Sequence, residues 1–221
     1  NHDHQNSKPN IIINHTIINN YATKNKKKKC QKVKNDNKET NESNNFLEEK
    51  LKIDEFVESI RLFIQSLEIN DGEQSILNHC ISFGICRRRI YDIINVFESI
   101  GCCLKKRCDS IIWIGKSNIK NKLEILIKQR NVDDKSLTLE ELFPLNECIG
   151  VSNMTISLIL LFYLLKTDKL DLRNVALLFS RDSPRYKTTL NKLYQIAHIM
   201  SAIDIMKKTH KIGEVVLATD L

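Results

Sequence analysis

The chain has 221 residues, 42% of them hydrophobic and 28% charged, with a formal net charge of +7 at pH 7. That length holds two small domains and a tail, and the longest apolar runs are too short to span a bilayer, so no membrane contact is expected. No Gly-rich phosphate loop, metal-ligand cluster or nucleophile motif is visible, which argues against an enzyme, a cofactor or a small-molecule substrate.

Residues 1–45 are Asn- and Lys-rich and lack periodicity, so a disordered basic tail is expected. Nine Lys there (Lys8, Lys24, Lys26, Lys27, Lys28, Lys29, Lys32, Lys34 and Lys38) face Asp3, Asp36, Glu39 and Glu42, so five of the seven net positive charges sit in the tail. The run Lys26 to Lys29 reads either as a nuclear localisation signal or as biased composition. The polar first residues lack the apolar centre of a secretory leader, and none is expected.

A first folded unit is expected over 46–115. Asn45 is placed to cap a helix with Glu48 at the third position, and Leu47, Leu51, Phe56, Ile60, Phe63, Ile64 and Leu67 give that helix an apolar stripe over 46–68. Further helices are expected near 75–83, after Ser75 as cap, and near 86–100. On a helical wheel Ile90, Ile93, Ile94, Phe97 and Ile100 fall on one arc, with Arg88, Tyr91, Asp92 and Asn95 opposite. Gly101 is suited to end the helix. Next come Cys102 to Lys106, a polar Arg107-Cys108-Asp109-Ser110 turn and the β-branched run Ile111 to Ile114, which read as a two-stranded hairpin. A helix followed by a hairpin, with positive charge on both, suits a helix in the major groove and a wing on the phosphates.

The spaced residues Arg88-Arg89-Ile90-Tyr91-Asp92, Asn95-Val96, Lys105-Lys106 and Trp113-Ile114-Gly115 resemble the DNA-binding domain of the E-two-F/DP family of cell-cycle transcription factors. Gly72, Ser75, Ile76, Cys80, Phe83 and Ile85 extend the likeness upstream, so that it covers roughly 46–115. Cys102 and Cys103 in apolar strand positions, and Asp109 in place of a frequent Asn, depart from the pattern. The resemblance implies that Arg88 and Arg89 read guanines in a GC-rich core, where an Arg fork meets both major-groove acceptors of the base. Tyr91, Asp92 and Asn95 would support them, and Arg87, Lys105, Lys106 and Arg107 would meet phosphates. Trp113, a stacking platform in isolation, belongs by this likeness to the hairpin core.

Residues 116–150 form a linker, acidic at Asp133, Asp134, Glu140, Glu141 and Glu147, with a short helix near 119–130 that lacks the heptads of a coiled coil. A second unit is expected over 151–221, with helices near 152–166, 171–179 and 188–203 and strands near 205–209 and 214–219. Residues 190–210 repeat the recognition helix loosely at an offset of 103, mapping Ile90 on Leu193, Tyr91 on Tyr194 and Ile100 on Ile203. The expected fold is thus mainly α with small β wings, as two tandem winged-helix domains after the tail. This duplication resembles the atypical members of the family, which carry two such domains in one chain, need no DP partner and generally repress cell-cycle genes in the nucleus. The second copy has Asn191, Lys192, Gln195 and His198 where the first has Arg88, Arg89, Asp92 and Asn95. It keeps Tyr194 but lacks the guanine-reading fork and the Trp-x-Gly strand end. Lys192, Lys207 and Lys208 are expected on phosphates, and Asn191 suits adenine.

Double-stranded DNA with a GC-rich core is the expected partner. A DP-type chain or self-association stays open, as do a typical member needing a DP partner and a winged helix that binds protein instead. Seven cysteines without a Cys-x-x-Cys pair or a His at zinc spacing suggest free thiols in a reducing compartment. Cys80, Cys102 and Cys103 read as small core residues. No metal is expected, and His2 and His4 in the tail offer at most an adventitious contact.

Overall fold

The computed structural model describes residues 39–218 apart from 71, 84, 108 and 182, with side chains from Leu51 onward. The basic run Lys26 to Lys29, His2, His4, Cys30 and Cys108 lie outside the described residues. The chain is mainly helical, with two small antiparallel sheets.

Helix α1 runs over Glu39–Ile69. It begins before the cap expected at Asn45. Asn44 and Asn45 each cost only a few tenths of a kcal/mol in a helix and do not stop it. Ile60, Phe63, Ile64 and Leu67 of the expected stripe are buried, whereas Leu51 is exposed. Strand β1 (Glu73–Ser75) follows, then α2 (Ile76–Phe83), α3 (Arg87–Ser99), β2 (Cys103–Arg107) and β3 (Ser110–Trp113). The sheet has the order β1-β3-β2, so the expected two-stranded hairpin is a three-stranded sheet. A three-residue strand is too short to show alternation, which is why β1 escapes a periodicity reading.

The apolar arc of α3 is wholly buried: Ile90, Ile93, Ile94, Phe97 and Ile100 are at most 1% exposed. Gly101 takes φ +84° and turns the chain into β2. A Cβ there would stand 2.8 Å from Lys122 Cβ, so the turn needs glycine for space as well as for backbone conformation. The Phe97 and Trp113 rings meet edge to face at 5.4 Å, which places Trp113 in the hairpin core. Cys102 and Cys103 are buried, and loss of water raises both thiol pKa values to about 12. Cys80 is half-buried.

A 3-10 turn (Lys116–Asn118) leads into α4 (Ile119–Gln129), and α5 (Leu139–Leu142) starts from a capping box in which Thr138 and Glu141 bond reciprocally. The linker is part of the core, since Ile119, Leu126, Val132, Leu139, Leu142 and Phe143 are all buried. Helix α6 (Val151–Leu165), β4 (Lys169–Asp171), α7 (Leu172–Ser180), α8 (Tyr186–Ala202), β5 (Met206–Lys208) and β6 (Glu214–Leu217) complete the chain. Their sheet order, β4-β6-β5, repeats the first.

The repeat extends to individual hydrogen bonds. Cys102 N donates to Phe97 O, and 103 residues on Ile205 N donates to Met200 O. Ile76 N donates to Asp109 O as Leu172 N does to Gly213 O. Asp204, the counterpart of Gly101, also adopts positive φ, at +60°. The units pack reciprocally: α3 lies on α6, α8 lies on α1, and α3 touches α8. Because α6 corresponds to α1 and α8 to α3, exchanging the units restores the same contacts, which is the arrangement of an approximate two-fold axis.

Candidate nucleic-acid interface

Burial of the apolar arc fixes which way the rest of α3 faces. Arg87, Arg88 and Arg89 are exposed in its first turn, which contains no acidic residue. Cations at a helix N-terminus oppose the macrodipole and typically cost about 0.3–1 kcal/mol each. Three in succession, with Cys86 as an N-cap that makes no side-chain hydrogen bond, break the local rule for a stable helix. Such a violation is expected where an external anion completes the charge balance.

The three arginines are held differently. Arg87 Nη2 lies 3.3 Å from Asp109 Oδ1 at the turn of the hairpin, and the Tyr91 hydroxyl donates to the same oxygen at 2.9 Å. Asp109 thus ties the polar face of α3 to the wing. Arg88 makes no ion pair or hydrogen bond among the described residues. Arg89 Nη1 donates to Asp92 Oδ2 at 3.1 Å and to Gln195 Oε1 of the second unit at 2.7 Å. Gln195 Nε2 in turn donates to Asp92 Oδ2 at 2.7 Å.

The wing residues also separate. Lys106 and Arg107 are exposed. Lys105 is folded back onto α3, with Nζ 2.5 Å from Asn95 Oδ1 and 2.7 Å from Glu98 Oε2. Lys105 and Asn95 therefore brace the sheet against the helix in this state, and Lys106 and Arg107 are the wing cations turned outward.

In the second unit Asn191 is exposed, and Lys192 Nζ donates to Ile149 O at 2.5 Å. Tyr194 is half-buried. A Cβ on Gly213 would stand 3.2 Å from the Tyr194 hydroxyl and 3.0 Å from Arg173 Nε. Gly213 corresponds to Asp109, so this unit lacks the carboxylate at the turn. Asp171 instead caps α7 and binds Arg173 with both oxygens, at 3.0 and 2.6 Å. Lys207 and Lys208 are exposed on β5. His198 is half-buried, and its pKa falls to about 4 through burial and the nearby Lys208, against the pull of Asp54 on α1. A groove of about 580 Å³ lies between the start of α3 and one face of α8, lined by Arg88, Arg89, Asp92, Asn191, Lys192 and Gln195 among others.

The structure brings Arg89, Asp92 and Gln195 together and sets Tyr91 against the wing. It holds Lys105, still half-exposed, against Asn95 and Glu98. Asp109 and Gln195 join the site without being expected there from motifs. Their signal is positional, since Asp109 replaces a frequent Asn and Gln195 sits at the repeat position of Asp92. Arg173, exposed at the start of α7, falls where the first unit has Leu77 and carries no motif that would reveal it.

Residues 27–115 match the winged-helix DNA-binding domain of the E-two-F/DP family. The chain is 28% identical over 151 residues to "Transcription factor E2F7" of Danio rerio, covering 58% of this chain and 21% of that protein. It is 26% identical over 158 residues to the E-two-F transcription factor-like protein E2FF of Arabidopsis thaliana, covering 58% of this chain and 45% of that protein. Against "Transcription factor E2F7" of Xenopus tropicalis it is 25% identical over 178 residues, with 60% and 21% covered. The aligned region is thus under half the length of each relative, yet takes in more of this chain than residues 27–115. The family is one of DNA-binding transcription factors, not of enzymes.

Proposed function

Because residues 27–115 carry the winged-helix DNA-binding domain of the E-two-F/DP family, we propose that this chain is a sequence-specific double-stranded DNA-binding regulator whose two units occupy one site. The reading rests above all on α3: a helix with a fully buried apolar arc presents Arg88 and Arg89 outward at its N-terminus, beside a wing carrying Lys106 and Arg107. Arg88 and Arg89 read guanines in a GC-rich core, and Lys106 and Arg107 hold phosphates. Tyr91 acts through Asp109 by fixing the wing to the helix.

The second unit serves as the internal partner. Its α8 and α3 lie about the approximate two-fold axis where two separate chains would otherwise meet, so a DP-type chain is not required. Asn191, Lys192, Lys207 and Lys208 contact the flanking duplex, and guanine reading by this half is weak. Cell-cycle genes as targets, repression and action in the nucleus follow from the likeness to atypical members. A base-by-base substitution scan of a selected site tests the assignment. One half-site should show a strong guanine requirement and the other a weak one. Equal guanine requirements in both, one abolished by Lys192→Ala, would overturn it.

A further inference from the structure

At the approximate two-fold axis, two equivalent positions carry different residues. Asp92 and Gln195 stand at the repeat offset, and their side chains meet at 2.7 Å. With Arg89 they close a ring: Arg89 Nη1 donates to the Asp92 carboxylate and to the Gln195 carbonyl oxygen, and the Gln195 amide nitrogen donates back to the carboxylate. An Asp at position 195 would set a second carboxylate against the first and remove the donor. The ring is also one-sided. Lys192, the counterpart of Arg89, is outside it and bonds the Ile149 carbonyl.

We propose that Gln195 is a specificity-determining positioning residue: the second unit, which has no Arg fork of its own, sharpens guanine reading by fixing the Arg89 guanidinium from across the unit boundary. The inference rests on the base-reading role of Arg89 proposed above. An Arg side chain carries considerable rotamer entropy, part of which is lost when it settles on a base. Tethering Nη1 before DNA arrives removes part of that loss, the usual benefit of preorganisation. It also leaves the Nε and Nη2 protons, which form one edge of the guanidinium, for the two guanine acceptors.

The test uses the full chain and competition binding between a GC-core duplex and variants with each G·C pair replaced in turn. Gln195→Ala should reduce discrimination about tenfold, the scale of one hydrogen bond to a charged group, at the guanine whose loss Arg89→Ala also makes unimportant. The slope of affinity against salt should not change. In an Arg89→Ala background Gln195→Ala should have no further effect. If Gln195→Ala loses cooperative unfolding, Gln195→Asn, one methylene shorter, carries the same test. Unchanged or increased discrimination, or effects that add in the double variant, would overturn the inference alone. A wild-type chain that prefers no guanine would overturn the base-reading function, and the inference with it.

Discussion

Arg88→Ala and Arg89→Ala should separate binding from stability. Arg88 has no intramolecular partner among the described residues, so removing it should leave unfolding free energy within about 0.5 kcal/mol, as for an ordinary surface change. Arg89 is different. Its side chain is 47% exposed, but its partner Asp92 is only 19% exposed and would keep Gln195 as donor while losing the cation. Screening at the exposed guanidinium limits the pair itself, so a destabilisation of about 1 kcal/mol is expected. On a GC-core duplex each variant should lose about 1–3 kcal/mol and relax the preference at its own base pair. Thermal or urea unfolding reads the first quantity, and competition binding across a substitution series reads the second. Equal stability losses for the two variants, or equal weakening on specific and random DNA, would refute the reasoning.

Three other outcomes follow from the same geometry. Lys106→Ala should weaken all sequences alike and lower the slope of affinity against salt by about one contact, measured by titration at several salt concentrations; a change in site preference would contradict it. Gly101→Ala should destabilise by at least about 2 kcal/mol, combining a left-handed backbone with a Cβ driven into Lys122, whereas Asp204→Gly, at +60° with no such need for a side chain, should be neutral or stabilising in urea unfolding. His198 binds its proton less readily folded than unfolded, so the unfolded state takes up more protons as pH falls below about 6.5. Stability should therefore drop between pH 6.5 and about 4, by roughly 3 kcal/mol, and His198→Asn should flatten that pH dependence.

Much of this arrangement is legible in the residues, for identifiable reasons. The apolar arcs of α3 and α8 are long and regular, and the 103-residue offset aligns them, so both helices can be placed before any coordinates. Gly101 marks the end of α3 because its conformation is one few residues adopt. The short strands β1 and β4 are not legible, since three residues cannot display a period. The start of α1 is hidden because a good cap at Asn45 does not prevent a helix from beginning earlier. At the site, composition identifies Arg87, Arg88 and Arg89 as a group but not their division of labour. That division depends on Asp109, 22 residues from Arg87, and on Gln195, 106 residues from Arg89. The inward turn of Lys105 depends likewise on Asn95 and Glu98 across the helix-sheet boundary. Pattern reading locates helices, while the partners of a charged side chain are set by packing between them.

Whether two units of one chain fill one DNA site is decided by the mass of the complex that the purified chain forms with a GC-core duplex, measured by native mass spectrometry with and without a DP-type chain. One copy of this chain per duplex is expected, unchanged when the second protein is added, because under the proposed function α3 and α8 supply both halves of the contact. Binding that appears only with the DP-type chain, or two copies of this chain on one site, would contradict it.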